Sequence, residues 1–239
     1  VSGTTRIIDV GETLFDDNER RAEALRVGLS ARGVLMVDLM GSPGSGKTSL
    51  LLETLRRLPA GIRAAVIEGD LDSTVDADAV QDAGWDAVQI RTGGYCHLDA
   101  AMVAAGLEKL GFRGPADRPY DLVFVENIGN LVCTGQSDVG AQLRVAHLSR
   151  PEGDDKPAKY PVMFRNAHVL ALTKSDYDAF AGPGGPLTPF DADAVRARAC
   201  FLNPEIRIFQ TSCRTGEGLD EWTAFIAERL RSCRRDAGR

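Results

Sequence analysis

Long hydrophobic runs, blocks of basic charge and clustered cysteines are all missing from this chain. The longest apolar run near the start, Val34 to Met40, is broken by Asp38 and falls far short of the roughly 20 residues a membrane helix needs. No basic segment leading into an apolar core precedes it, so a membrane partner is not expected and the chain reads as cytoplasmic. The formal net charge of −6 is spread along the chain without a basic run or face suited to a phosphate backbone, which argues against a nucleic-acid partner. Five cysteines (Cys96, Cys133, Cys200, Cys213, Cys233) lie far apart, so a disulfide framework is not expected. Any special cysteine among them is a ligand or a reactive thiol. No internal repeat is present.

What remains is a chain of 239 residues, 44% apolar and 26% charged, long enough to bury one large core; residues 1–239 read as a single domain. From about Thr13 to Ala31, Ala22, Leu25 and Leu29 recur at helical spacing among charges, which predicts an amphipathic helix laid against that core. Short apolar runs follow: Val34 to Met40, Arg63 to Glu68, Trp85 to Ile90, Leu122 to Glu126, His168 to Thr173 and Ile206 to Gln210. Helical stretches separate most of them. That alternation predicts an α/β fold, a mostly parallel sheet with helices on both faces, whose ligands lie beyond the carboxyl ends of the strands. Two Pro/Gly-rich segments, Pro151 to Pro161 and Ala181 to Pro189, read as loops, the second as a candidate for disorder.

The most informative stretch is Gly41-Ser42-Pro43-Gly44-Ser45-Gly46-Lys47-Thr48, between an apolar strand and a helix. Glycines leave room for backbone N–H groups to surround a triphosphate, so Gly44, Ser45, Gly46 and Ser49 are expected around it. Lys47 then meets the β- and γ-phosphates and the Thr48 hydroxyl meets Mg²⁺. Asp70 and Glu126 each end an apolar run, where two switch loops would begin; carboxylates there can hold Mg²⁺ and orient the attacking water. Asp72 and Asp76 could share that work or be solvated acids. Thr173-Lys174-Ser175-Asp176 follows another strand, and a carboxylate such as Asp176 accepts both donors of a guanine edge, whereas adenine would leave it unpaired. GTP is therefore favoured over ATP. Asn usually stands where Thr173 does, so a bond tying the base loop to the phosphate loop is expected to be lost or shortened. Ser212 and Cys213, in Ser212-Cys213-Arg214-Thr215-Gly216, form a second base loop whose backbone N–H would meet the guanine O6. With no arginine finger or water-orienting glutamine to assign, hydrolysis is expected to be slow without a partner.

Cys96-His97 precedes a helical stretch, and Cys133 ends the segment that begins at Glu126. Two thiolates and an imidazole suit Zn²⁺ or Ni²⁺, provided the adjacent Cys and His sit in a loop or at a helix start. Buried structural side chains are the plain alternative for these three. His147 and His168, on apolar strand-like runs, read as structural, and Cys200, Cys213 and Cys233 have no ligand-spaced partners. Because Cys96 and His97 sit on one strand-end loop and Cys133 on the Glu126 segment, movement around a γ-phosphate is expected to change the shape of the ligand triangle.

Four segments together resemble the hydrogenase nickel-incorporation GTPases, the HypB family of SIMIBI-class P-loop proteins: GSPGSGKTSLL from Gly41, ENIGNLVC from Glu126, YCHLDA from Tyr95 and EGDDKPAKYPVMF from Glu152 to Phe164. The last is the most specific. The resemblance implies a dimeric GTPase using GTP/GDP and Mg²⁺, with nickel or zinc held by Cys96, His97 and Cys133 at the dimer contact. It implies nickel loading into the large subunit of [NiFe] hydrogenase together with a HypA-type nickel chaperone. It also supports Lys47 and Thr48 on phosphate and Mg²⁺, Asp70 and Glu126 in the switches, and Asp176 on guanine. The chain has neither a cysteine-rich N-terminus nor a His-rich tract, so the additional nickel site and nickel store of some members are not expected. A urease accessory GTPase would show Cys-Pro-His where Cys96-His97 stands. A metal-storing protein with a decayed nucleotide site would not need Lys47, Thr48, Asp70 and Glu126, and a small-molecule kinase would need an Arg-rich lid that is not found.

Overall fold

The structure is a computed structural model that describes residues 10–73, 75–180 and 189–238. Seven strands, β1 (Leu35–Gly41), β2 (Ala64–Asp70), β3 (Asp86–Arg91), β4 (Leu122–Glu126), β5 (Leu143–Ser149), β6 (Val169–Thr173) and β7 (Arg207–Gln210), form one sheet in the order β3-β2-β4-β1-β5-β6-β7. Every pairing is parallel, so "mostly parallel" becomes wholly parallel. β1 and β4 are buried along their whole length, as strands covered on both faces must be.

The alternation of side chains along the strands separates two faces. Leu35, Val37 and Leu39 of β1 pack with Leu50, Leu51 and Leu55 of α2 (Lys47–Arg57) and with Trp222, Phe225 and Ile226 of α9 (Leu219–Ala237). Met36 faces the other way, among Leu29 of α1 (Val10–Ala31) and Val103 and Leu107 of α4 (Ala100–Lys109). Met40 on the same side meets Met163 and Phe164 of α7 (Pro161–Asn166) and Val195 and Ala199 of α8 (Ala192–Leu202). Three shorter helices complete the set: α3 (Val75–Asp82), α5 (Cys133–Gln136) and α6 (Lys156–Lys159). The expected stripe on the first helix is present, with Ala22 and Leu29 fully buried and Leu25 packed beside them. No helix among the described residues is long and apolar enough to cross a membrane.

Two expectations change. β5, absent from the six expected strands although His147 had been placed on a strand-like run, is buried from end to end despite carrying Arg144 and His147. Arg144 is held internally: its guanidinium donates to the carbonyls of Thr134 and Ser137 at 2.9 Å each and its Nε lies 3.7 Å from Asp38. The Pro151 to Pro161 segment is not an irregular loop. A 3₁₀ turn, Arg150–Glu152, opens on a reciprocal capping box between Ser149 and Glu152, and α6 and α7 follow. The Ala181 to Pro189 segment lies, apart from Pro189, outside the described residues.

Candidate nucleotide and metal sites

The turn from β1 into α2 is set by what the backbone must avoid. A Cβ at Gly41 would stand 2.8 Å from the His147 carbonyl and from Ser45 Oγ, and Gly44 and Gly46 take φ values of +71° and +92° that side chains disfavour. His147 lies beneath the turn, buried, its Nδ1 3.2 Å from the Met40 carbonyl; burial, with Lys47 nearby, lowers its pKa to about 3 and keeps the ring neutral. It is structural, as is His168, whose Nδ1 accepts from the Arg144 amide at 3.0 Å.

Above the turn is a cavity of about 500 Å³ lined by Gly44, Gly46, Lys47, Thr48, Ser49, Asp70, Asp76, Glu126 and Lys174 among others. Lys47 is buried, and its Nζ donates to the Ser42 carbonyl at 3.3 Å and stands 4.0 Å from Glu126. Thr48 Oγ1 donates to Glu126 Oε1 at 2.8 Å and lies 3.3 Å from Asp76 Oδ1. Asp70 is occupied differently: its Oδ1 accepts from the amides of Asp72 and Ser73 at 2.9 and 2.7 Å, shaping the loop after β2. Asp72 is exposed and is not among the cavity's lining residues.

Sequence reasoning passed over Glu68. It is buried, pairs in register with Glu126 across β2 and β4, and leaves Oε1 without a partner. Burial first, then the Glu126 and Asp76 charges, hold its pKa well above the usual carboxylate range; burial also raises Glu126, against the pull of Lys47 and Thr48. Crowded, partly orphaned carboxyl oxygens next to a hydroxyl are a donor set that fits Mg²⁺. The readable signal was an acid two residues before Asp70 in a buried strand, where a solvated role is excluded.

A second cavity of about 400 Å³ continues from Gly46, Ser49 and Lys174 to Thr173, Asp176, Tyr177, Cys213 and Arg214. Asp176 accepts from Ser212 Oγ at 2.6 Å, and Arg214 stands 3.9 Å from its other oxygen. Burial pushes the Cys213 thiol up to about 11, so it stays protonated. Of the two outcomes expected at Thr173, a lost or a shortened tie, the tie is kept: Thr173 Oγ1 donates to the Ser45 carbonyl at 2.6 Å, and Lys174, at φ +59°, reaches the Gly44 carbonyl at 2.7 Å. The shorter side chain suffices because the phosphate loop packs directly on it, a Cβ at Gly46 lying 3.5 Å from Thr173 Oγ1. Thr173→Val keeps the shape and removes the donor; it is expected to cost about 1 kcal/mol, roughly fivefold in nucleotide affinity, measured by fluorescent-GDP titration. Arg150, also unanticipated, is buried below both base loops, bonded to Gln210, 3.2 Å from Asp178, and stacked 4.5 Å from the Phe190 ring centroid.

Cys96 and His97 fall in a bend three residues before α4, and Cys133 opens α5. Their ligand atoms all lie within 4.8 Å of one another, with the two Sγ atoms 2.9 Å apart and Cys96 Sγ 3.7 Å from His97 Nδ1. The Cys96 sulfur, then partial burial, push the Cys133 thiol up, as when two thiols share one proton. Around them Asn130 Oδ1 accepts from the Cys133 amide at 2.9 Å, and Asn18 of α1 accepts from the Ala100 amide while donating to the Asp138 carbonyl, at 2.9 Å each. Such outer partners fix the geometry of metal ligands. Cys200 is exposed and Cys233 approaches only the Val34 carbonyl, so neither joins the cluster.

Fold and site define a P-loop protein of the G-domain type, with the candidate phosphate, base and metal segments at the carboxyl ends of its strands. The model of the CobW/HypB/UreG nucleotide-binding domain matches residues 35–177. The chain is 43% identical over 221 residues to the hydrogenase maturation factor HypB of Escherichia coli K12, covering 92% of this chain and 72% of that protein. It is 41% identical to its counterpart in Azotobacter chroococcum, covering 96% and 71%. The solved structure of Helicobacter pylori HypB in complex with nickel superposes with a TM-score of 0.80 at 33% identity, covering 90% of this chain and 96% of that one. That of Archaeoglobus fulgidus HypB gives 0.78 at 34% identity, covering 90% and 99%. The chain belongs to the HypB family of P-loop GTPases.

Proposed function

We propose that this protein is a slow GTPase of one domain that holds nickel at Cys96, His97 and Cys133 and, in the cytoplasm, delivers it to [NiFe] hydrogenase during maturation. The observation carrying this reading is that one short segment, Glu126 to Cys133, begins at the phosphate cavity and ends at a three-ligand cluster. Lys47 and the backbone of Gly44, Ser45 and Gly46 hold the phosphates; Thr48 and Glu126, with Asp70 and Asp76 at hand, would hold Mg²⁺. Bound there, the ion neutralises charge on the β- and γ-phosphate oxygens. Asp176, Ser212 and Cys213 hold the guanine. Two thiolates and an imidazole leave an open position, which suits a cargo ion that must be passed on, whether Ni²⁺ or Zn²⁺.

Large apolar side chains stand exposed beside both sites: Leu71 and Val75 after β2, Tyr95 next to Cys96 and Val132 next to Cys133. Such a grouping marks a contact surface and supports a homodimer closing over the metal. A HypA-type chaperone and the hydrogenase large subunit are the proposed donor and recipient.

The test is titration of Ni²⁺ and Zn²⁺ with GDP and with a non-hydrolysable GTP analogue, reading affinity and oligomer mass together. A metal affinity differing by roughly 5- to 150-fold between nucleotide states is expected. His97→Ala should weaken metal by more than the roughly 10- to 100-fold that losing an outer partner costs, with the GTP-driven movement intact. Cys133→Ala should remove the coupling and leave nucleotide affinity near normal. Identical metal affinity in both states, with dimerisation indifferent to either ligand, would end the coupled reading.

A further inference from the structure

Cys96 and His97 are far in sequence from the Glu126 segment, but they are not mechanically free of it. The residue that follows them, Leu98, is fully buried and held on three sides. Its amide donates to Asn127 Oδ1 at 3.0 Å, and its carbonyl accepts from Ser137 Oγ at 3.1 Å. Its side chain lies directly under Gly69, where an added Cβ would stand 2.7 Å from Leu98 Cδ1. Two of these three holders, Asn127 and Gly69, belong to the wall of the phosphate cavity, one on each switch segment. The third, Ser137, follows the short helix that Cys133 opens, and its own amide donates to the Cys133 carbonyl at 2.9 Å.

Asn127 is a firm anchor. It is buried, its Nδ2 donates to the wholly buried Asp38 at 3.2 Å, and its Oδ1 also accepts from the Ile128 amide at 3.0 Å. A displacement of Asn127 therefore cannot be absorbed by slack in its own side chain. Close packing at Gly69 acts likewise, because the Leu98 side chain leaves no room there even for a Cβ, and such packing transmits motion instead of cushioning it.

We propose that Leu98 is the positioning residue through which the nucleotide cavity sets the distance of Cys96 and His97 from Cys133. Movement of the first switch at Gly69 pushes on the Leu98 side chain, and movement of the second at Asn127 pulls on its amide. The Ser137 bond ties the result to the Cys133 helix. Both halves of the metal site then answer to the nucleotide, one through the chain from Glu126 to Cys133 and the other through Leu98.

The inference rests on the coupled reading above, and the experiment separates the two. Ni²⁺ is titrated into the unmutated chain and into Leu98→Ala, each with GDP and with the non-hydrolysable GTP analogue in the presence of Mg²⁺. The ratio of the two nickel affinities is the readout. The unmutated ratio is expected within roughly 5- to 150-fold; in Leu98→Ala it should fall toward one, with metal-free GDP affinity unchanged. A side chain needed only for structure would lower both nickel affinities together and keep the ratio. If Leu98→Ala does not fold, Leu98→Val, which withdraws the branch from Gly69 and leaves a smaller void, gives the same comparison. An unmutated ratio above one that persists in the variant overturns the role of Leu98 alone. An unmutated ratio of one overturns the coupled reading and this inference with it.

Discussion

Lys47→Ala is expected to lower GTP turnover by at least about 10² to 10³, the size of effect seen when one preorganised donor to developing charge is removed. Lys47 is buried, and its Nζ is held by the Gly41 and Ser42 carbonyls at 3.5 and 3.3 Å, so it waits at the cavity floor without having to be ordered when nucleotide arrives. Among the described residues lining that cavity, Lys174 is the other cation, and it is engaged with Gly44. No neighbour can take over. The substitution also removes positive charge from a corner that holds Asp76 and Glu126, whose carboxyl groups disfavour the phosphates. Nucleotide affinity should fall with the rate, because positioning and electrostatics are most of phosphoryl transfer. The check is single-turnover hydrolysis of GTP with Mg²⁺, beside a thermal melt to establish that the variant is folded. Turnover within a few-fold of the parent would mean that the γ-phosphate lies elsewhere.

The phosphate turn and the strands other than β5 were readable because each rests on a local rule: glycine spacing and apolar runs. What escaped rests on contacts between distant segments. β5 hid behind Arg144, which looks like a surface residue until Asp38, Thr134 and Ser137 are seen around the guanidinium. Glu68 read only as the end of an apolar run, and the register against Glu126 makes it a second buried carboxyl in the same corner. At Thr173 side-chain length alone left open whether the bond is lost or shortened, and the phosphate loop comes close enough for a hydroxyl to span the gap. Cys96, His97 and Cys133 could be grouped by chemistry, but Asn18, Asn127, Asn130 and Ser137, which hold the backbone of Cys133 and of Leu98 and Ala100 just after His97, have no pattern of their own in the chain.

Asp176→Asn is expected to reverse base preference, weakening GTP by roughly 10² or more and bringing xanthosine triphosphate to equal or better affinity. The physical basis is the pairing of donors. Guanine offers its N1–H and N2 amine side by side, and a carboxylate accepts both; an asparagine amide turns one contact into donor against donor, leaving buried polar groups unpaired. Sites built to hydrogen-bond a particular group discriminate by about 10⁴ to 10⁵ when it is missing, so a loss of 10² is a modest expectation. Xanthine carries a carbonyl where guanine has the amine, and the asparagine donor meets it. In the free protein Asp176 is kept oriented by Ser212 Oγ at 2.6 Å, with Arg214 beside its other oxygen. An amide at this position can still accept from Ser212, so the loop should keep its shape and the change should be one of chemistry alone. Competition of GTP, ATP and xanthosine triphosphate against a fluorescent GDP would read it out. Parent protein that binds ATP as tightly as GTP, or a variant whose preference does not move, would remove Asp176 from the base site and leave the cavity beside Thr173 and Cys213 without a recognised occupant.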